Sequence, residues 1–177
     1  MTSEKTTRAG QIAYEWWSEL NPSDDRQSGS ARAAMAKLRR AATPVDVMLE
    51  PVALQLIERL PHSPKDRVAI LAGVLSWVRV TDEARVARAI GREALDEKQS
   101  ALVSESRFRR LLQSQPDELL DSMRRLVRQM KGRANVVNLA DTILYWGDGV
   151  KKRWIFDYYC VAIATPSAET SKKQIRN

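Results

Sequence analysis

The chain has 177 residues and a net charge of +7, from Lys+Arg 29 against Asp+Glu 22, and its isoelectric point near 9.8 falls in the range of nucleic-acid-binding domains. The single cysteine, Cys160, excludes an intramolecular disulfide and a cysteine-based zinc site, and suits a reducing compartment. The opening stretch mixes charges and holds no apolar run long enough for a signal segment or a membrane span, so the sequence predicts a soluble cytoplasmic protein.

Apolar residues recur at helical spacing almost throughout, and alternation of period two is nowhere sustained. The predicted fold is therefore all-α, a compact helical bundle. Its length allows one core or two small ones. Ile12, Trp16 and Leu20 form the first apolar stripe. Trp16, Trp17, Trp77, Trp146 and Trp154 read mainly as core, with Trp17, which lies off that stripe, a minor candidate for contact with a partner. The polar stretch "NPSDDRQSGS" at 21–30 predicts a loop before a helix carrying Met35 and Leu38.

Thr43-Pro44, Glu50-Pro51 and "SPKD" at 63–66 mark helix starts near 44, 51 and 64, with Ser63 as the third cap. The third helix should run to about Arg79, with Val68, Leu71, Leu75 and Val78 inward, as the centre of the N-terminal half. The pattern fades in "GREALDEKQSALVS", which places a junction between two lobes there. We divide the chain into an N-terminal helical lobe at 1–97, a C-terminal lobe at 98–164, and a polar, disordered tail at 165–177.

Beyond the junction, Ser104 can cap "ESRFRRLL", a further helix starts at Pro116, and Gly132 offers a stop. Leu139, Ile143, Trp146, Val150, Trp154, Tyr158 and Val161 continue one stripe across "WGDGV", as one kinked helix or two in register. Cys160, among apolar neighbours, reads as a buried thiol.

Basic residues gather in four clusters: Arg32, Lys37, Arg39 and Arg40; Arg107, Arg109 and Arg110; Arg124, Arg125, Arg128 and Lys131; and Lys151, Lys152 and Arg153. On a helical wheel through 117–131, Leu119, Leu120, Met123, Leu126, Val127 and Met130 share one arc, and Arg124, Arg125, Arg128 and Lys131 fall on the other. Within that helix, early acids and late bases also suit the helix dipole. The repetition of clusters points instead to an electrostatic surface for phosphates, whose arginine forks accept phosphate oxygens.

Catalytic groups are hard to assemble. His62, the only histidine, sits between prolines, and "GDG" at 147–149 lacks the Lys-Ser/Thr of a phosphate loop. Asp24 and Asp25 lie in a Ser/Gly loop without a supporting acidic cluster, so a metal-dependent nuclease is a minor alternative. No cofactor, metal or enzymatic activity is expected.

The ordered set "YEWWSEL", "LRRA", "DRVAILAGVL", "VARAIGR", "SESRFRRLLQSQPDELLDSMRRLVRQM" and "LADTILYWGDGVKKRWIFDYY" resembles the CasB family, the small subunit of the type I-E CRISPR Cascade complex, over about residues 10–160. The resemblance implies an all-α, non-catalytic protein of two helical lobes. It would be present as a pair of copies beside the crRNA-coating backbone subunits and the large subunit, in antiviral defence. It would stabilise the crRNA–target hybrid, or R-loop, and the displaced DNA strand. The family's basic positions would fall on Arg39 or Arg40, Arg67, Arg88, Arg107, Arg109, Arg110, Arg124 and Arg125, with Lys151 and Lys152 a looser match. Loop 21–30 and the segment after Thr165 depart from the family pattern. A stand-alone helical DNA-binding regulator, and a protein whose basic clusters bind acidic partner surfaces, remain alternatives.

Overall fold

The computed structural model describes residues 2–22, 28–94 and 100–161, with the side chains of 2–7 excepted. Ten helices follow one another in these segments: α1 (Thr2–Leu20), α2 (Gly29–Arg40), α3 (Pro44–Met48), α4 (Pro51–Arg59), α5 (Lys65–Leu75), α6 (Val86–Ile90), α7 (Glu105–Leu112), α8 (Leu119–Gln129), α9 (Val136–Leu144) and α10 (Asp148–Tyr158). No strand occurs among the described residues, so the all-α expectation holds. Asp24, Asp25, the junction at 97–98 and the tail 165–177 lie outside the described residues.

Helix starts follow local chemistry. Ser28 caps α2 by accepting from the Ala31 amide at 3.1 Å, and Thr43 and Asp46 close a reciprocal capping box on α3. Pro44 and Pro51 open α3 and α4, where the missing amide hydrogen costs nothing. At α5 the expectation fails in detail: Pro64, not Ser63, is the cap residue, and the Ser63 amide turns back to the Leu60 carbonyl. Ser104 does precede α7, but its hydroxyl pairs with Ser106 and caps no amide. Helix α8 begins at Leu119 rather than Pro116, after a turn in which the Glu118 carboxylate accepts from the Gln115 amide.

Helix α5 is the hub. Every residue from Val68 to Leu75 is buried, as befits a helix that is apolar all round. It packs against α2, α3, α4, α8 and α9, while α1 lies along α9 and α6 against α10. Residues from both sides of segment 95–99 join one apolar cluster. The helix stops at Leu75, short of the expected Arg79: the Ser76, Trp77 and Val78 amides still turn back to Ala72, Val74 and Leu75, and from Arg79 onward the amides find partners elsewhere. Arg79 and Val80 donate to the Gly132 carbonyl, Ala134 to Val80, and Asp82 to Ala134, a short parallel clasp centred on Val80 and Arg133.

The indole groups mostly enter the core. Trp16 donates to the Val52 carbonyl at 2.9 Å, and Trp17, only 5% exposed, donates to Val78 at 3.1 Å. Trp17 is therefore a structural tie between α1 and the end of the α5 turn, not a free contact for a partner. The apolar stripe after Leu139 resolves into two helices, broken at Tyr145–Gly147, and Leu139, Ile143, Trp146, Val150, Trp154 and Tyr158 are all buried. Val161, the last residue of that stripe, is exposed.

Two helices end in left-handed turns without glycine at the left-handed cap position. Lys131 (φ 56°) follows α8 and Cys160 (φ 57°) follows α10. In each, the next amide reaches back to a carbonyl of the last turn, Gly132 to Val127 and Val161 to Phe156. This conformation carries Cys160 to the surface, so it is not the buried thiol that its neighbours suggested.

Candidate nucleic-acid interface

The basic residues sort by what their charge already meets. Arg124 is buried, 8% exposed, and does not join the solvent arc. Its Nη1 and Nη2 donate to Ala41 and Leu38 at 2.7 Å each, and Nε to Gly73 at 3.3 Å. Ala41 and Leu38 belong to the C-terminal end of α2, where unpaired carbonyls and the helix dipole favour a cation. Burial lowers the guanidinium's pKa, with Asp121 opposing the shift. The wheel placed Arg124 only about 40° beyond Leu120, at the edge of the apolar arc, and a long side chain there can reach inward.

Arg39 is half-buried and donates from Nε to the Ser76 carbonyl at 2.6 Å; burial, then the neighbouring Arg79, lowers its pKa. Arg40 is exposed and bonds within its own helix, to Ala36. Arg67 is half-buried on α5, its pKa lowered by burial. Arg88 is exposed but folds over the carbonyls of Arg92 and Glu93.

Arg109 pairs through Nε and Nη2 with Glu105, which also accepts from Arg92 at 2.6 Å. The Arg109 bond holds the Glu105 carboxyl below its usual range. The Arg128 guanidinium lies 5.2 Å over the Trp77 ring, and the Lys151 ammonium 5.6 Å from the Trp146 ring. Lys131 and Lys152 are exposed.

Arg107, Arg110 and Arg125 have no acidic or carbonyl partner among the described residues, and they converge. Arg107 and Arg110 on α7, with Arg125 on α8, line one groove of ≈ 320 Å³, together with Val103, Leu111, Ser114, Ser122, Leu126 and Gln129. The Ser114 hydroxyl donates to Ser122 at 2.9 Å across the base of the two helices, and Gln129 donates to the Leu102 carbonyl. Three exposed guanidinium groups around a groove of mixed apolar and polar lining form a seat for an anion with several oxygens.

The sequence reading found the arginines but not the serines or Gln129. The signal was present: Arg107 and Arg110 on α7 with Ser114 just beyond it, and Ser122, Arg125 and Gln129 on α8, each repeat at i, i+3, i+7.

Elsewhere a second depression lies between α1, the 81–85 segment and α9, lined by Gln11, Tyr14, Asp82, Arg85, Asn138 and Asp141 among others. Burial pushes the Asp141 carboxyl up to about 6, against the pull of Arg153 and Arg85. Among the described residues, no group of three or more His, Cys, Asp or Glu side chains is placed to hold a metal ion. No helix among them is long and apolar enough to cross a membrane.

A single helical core carrying an arginine-lined groove is the build of a basic all-α binding protein. The family model for CRISPR-associated protein Cse2 (CRISPR_cse2) matches residues 34–159, and the chain belongs to that family. The CasB resemblance read from the sequence thus holds.

Solved structures with the same fold include a Cse2-family CRISPR-associated protein from Thermus thermophilus, with TM-score 0.64, 23% identity, and coverage of 86% of this chain and 98% of that one. A structure of CasB from the same species gives 0.62, 24%, 86% and 98%. A chain of the E. coli Cascade bound to a PAM-containing dsDNA target gives 0.61, 15%, 84% and 94%. No curated protein sequence matches the chain.

Proposed function

We propose that this chain is the small, non-catalytic subunit of a cytoplasmic type I-E Cascade complex, working in antiviral defence. In that role it sits as one of two copies beside the crRNA-coating subunits and the large subunit. Its basic surface holds the backbones of the crRNA–target hybrid and of the displaced strand. Replacing a DNA duplex by an RNA–DNA hybrid is nearly balanced in free energy, so a few backbone contacts decide whether the opened state persists.

The observation that carries this reading is the convergence of Arg107, Arg110 and Arg125 on one groove, unpaired, while Arg109, Arg124 and Arg128 of the same two clusters are tied to the chain's own groups. Charge that folding leaves unneutralised is available to phosphates. Membership of the Cse2 family, and the fold shared with a chain of the E. coli Cascade, support the assignment to that complex.

The test is purification of the tagged protein from its native host, before and after ribonuclease treatment. The expected result is a large assembly holding a uniform short RNA with a CRISPR repeat end. Recovery of the protein alone, or with duplex DNA only, overturns the reading in favour of a stand-alone DNA-binding regulator.

A further inference from the structure

Helix α7 is a ridge between two depressions of different chemistry. The arginine groove lies on its α8 side. On its α10 side, a slot of ≈ 290 Å³ is lined by Phe108, Leu112, Ile155 and Tyr159, with Arg109 and Gln113. The two depressions are one helix diameter apart, about 10 Å.

The walls of the slot are set in advance. Phe108 stacks on Tyr158 at 3.9 Å between ring centroids, and Tyr159 is fixed edge-on to Phe108 with the Arg92 guanidinium 4.8 Å over its ring. Ile155, 37% exposed, stands on the open side. Arg92 and Arg109 both pair with Glu105, which holds two guanidinium groups beside the apolar opening.

A ligand that suits both sides of α7 carries anionic groups and, within one short reach of them, a flat uncharged group that is free to leave its stack. A nucleotide chain joins these two parts covalently, and only an unpaired strand can offer the base. We propose, resting on the backbone-binding reading above, that single-stranded nucleic acid crosses α7, with phosphate oxygens on Arg107, Arg110 and Arg125 and one unstacked base in the slot walled by Leu112, Ile155 and Tyr159.

The test measures binding of the full chain, at low salt, to an oligothymidylate and to an abasic strand of the same length and charge. The base-bearing strand should bind about tenfold more tightly, the worth of one stacked base. Ile155→Ser should bring it to the abasic level and leave abasic binding unchanged, whereas Arg107→Gln with Arg110→Gln should weaken both.

Equal affinity for the two strands overturns the slot and leaves the backbone reading standing. A preference that survives Ile155→Ser also overturns the slot. Salt-insensitive binding, or none, to either strand removes both readings and leaves the slot to an apolar side chain of a neighbouring subunit. A 5-iodouridine strand gives an independent check: irradiation should crosslink Tyr159, and an adduct confined to other segments overturns the proposal.

Discussion

Arg124 and Leu38, 86 residues apart in sequence, are joined by a buried hydrogen bond of 2.7 Å from Nη2 to the carbonyl oxygen. The same guanidinium serves Ala41 and Gly73, so one side chain of α8 closes the end of α2 and reaches the backbone of α5. Arg124→Met leaves these carbonyls without a charged donor and should cost about 2–4 kcal/mol in urea denaturation. Arg124→Lys should recover only part, since an ammonium lacks the fork. Arg125→Met, one residue on and exposed, should change stability by less than about 0.5 kcal/mol.

Gly91 has no room for a methyl group. A Cβ there would lie 2.3 Å from the Tyr158 carbonyl oxygen and 2.6 Å from its Cα, both backbone atoms that cannot swing away. The close approach lets the Arg92 amide donate to Tyr158 at 2.8 Å while the Tyr158 hydroxyl donates to Val103 at 2.6 Å. Gly91→Ala should therefore cost about 3 kcal/mol or more in thermal or urea melts, with α6 forced away from α10.

Asp141 predicts a pH effect of definite sign. Its folded pKa, about 6, is raised from 3.8 by burial. As pH rises from 4 to 6 the unfolded chain gives up this proton before the folded one does, so stability falls across that window and the loss is complete above it. Because the group is only partly buried, the penalty at neutral pH is about 1 kcal/mol. Asp141→Asn should raise the melting temperature at pH 7.5, and that gain should fade as melts are taken down to pH 4.

If Arg107, Arg110 and Arg125 each meet a phosphate, replacing all three by Gln should flatten the log–log salt dependence of target binding by the assembled complex. The expected change in slope is about 2 to 3 for each copy of the chain that meets the strand, from about 0.7–0.9 per contact. Weakening should be uniform across target sequences, because backbone contacts carry no base code. Stability should be nearly unchanged, since none of the three is tied to the chain's own carboxylates or carbonyls among the described residues.

The contrast between Arg124 and Arg125 shows where the sequence was legible and where it was not. Periodicity put Leu119, Leu120, Met123, Leu126, Val127 and Met130 inside correctly, because six apolar side chains on one arc admit no other arrangement in water. It could not place Arg124, since burial there depends on carbonyls at the end of α2, far away in sequence. The starts of α3 and α4 at Pro44 and Pro51 were readable from local chemistry, whereas Pro116 opens only a turn before α8. The end of α5 was not, because its stop is set by amides pairing with Gly132. For the groove, the arginines were visible as charge, but their differing availability depends on Glu105, on the carbonyls after Arg88 and on Trp77, none of which a wheel brings together.

The clasp between 79–82 and 132–134 has a kinetic meaning. Amides inside a helix can exchange with solvent when that helix frays, but those of Arg79, Val80, Asp82 and Ala134 bond to a stretch of chain that other helices hold in place. Breaking them requires the α5 end and the α8–α9 turn to separate, which disrupts the shared core. Hydrogen exchange at these four positions should therefore be slower than at the fraying helix ends and fall nearer to the opening of the molecule as a whole.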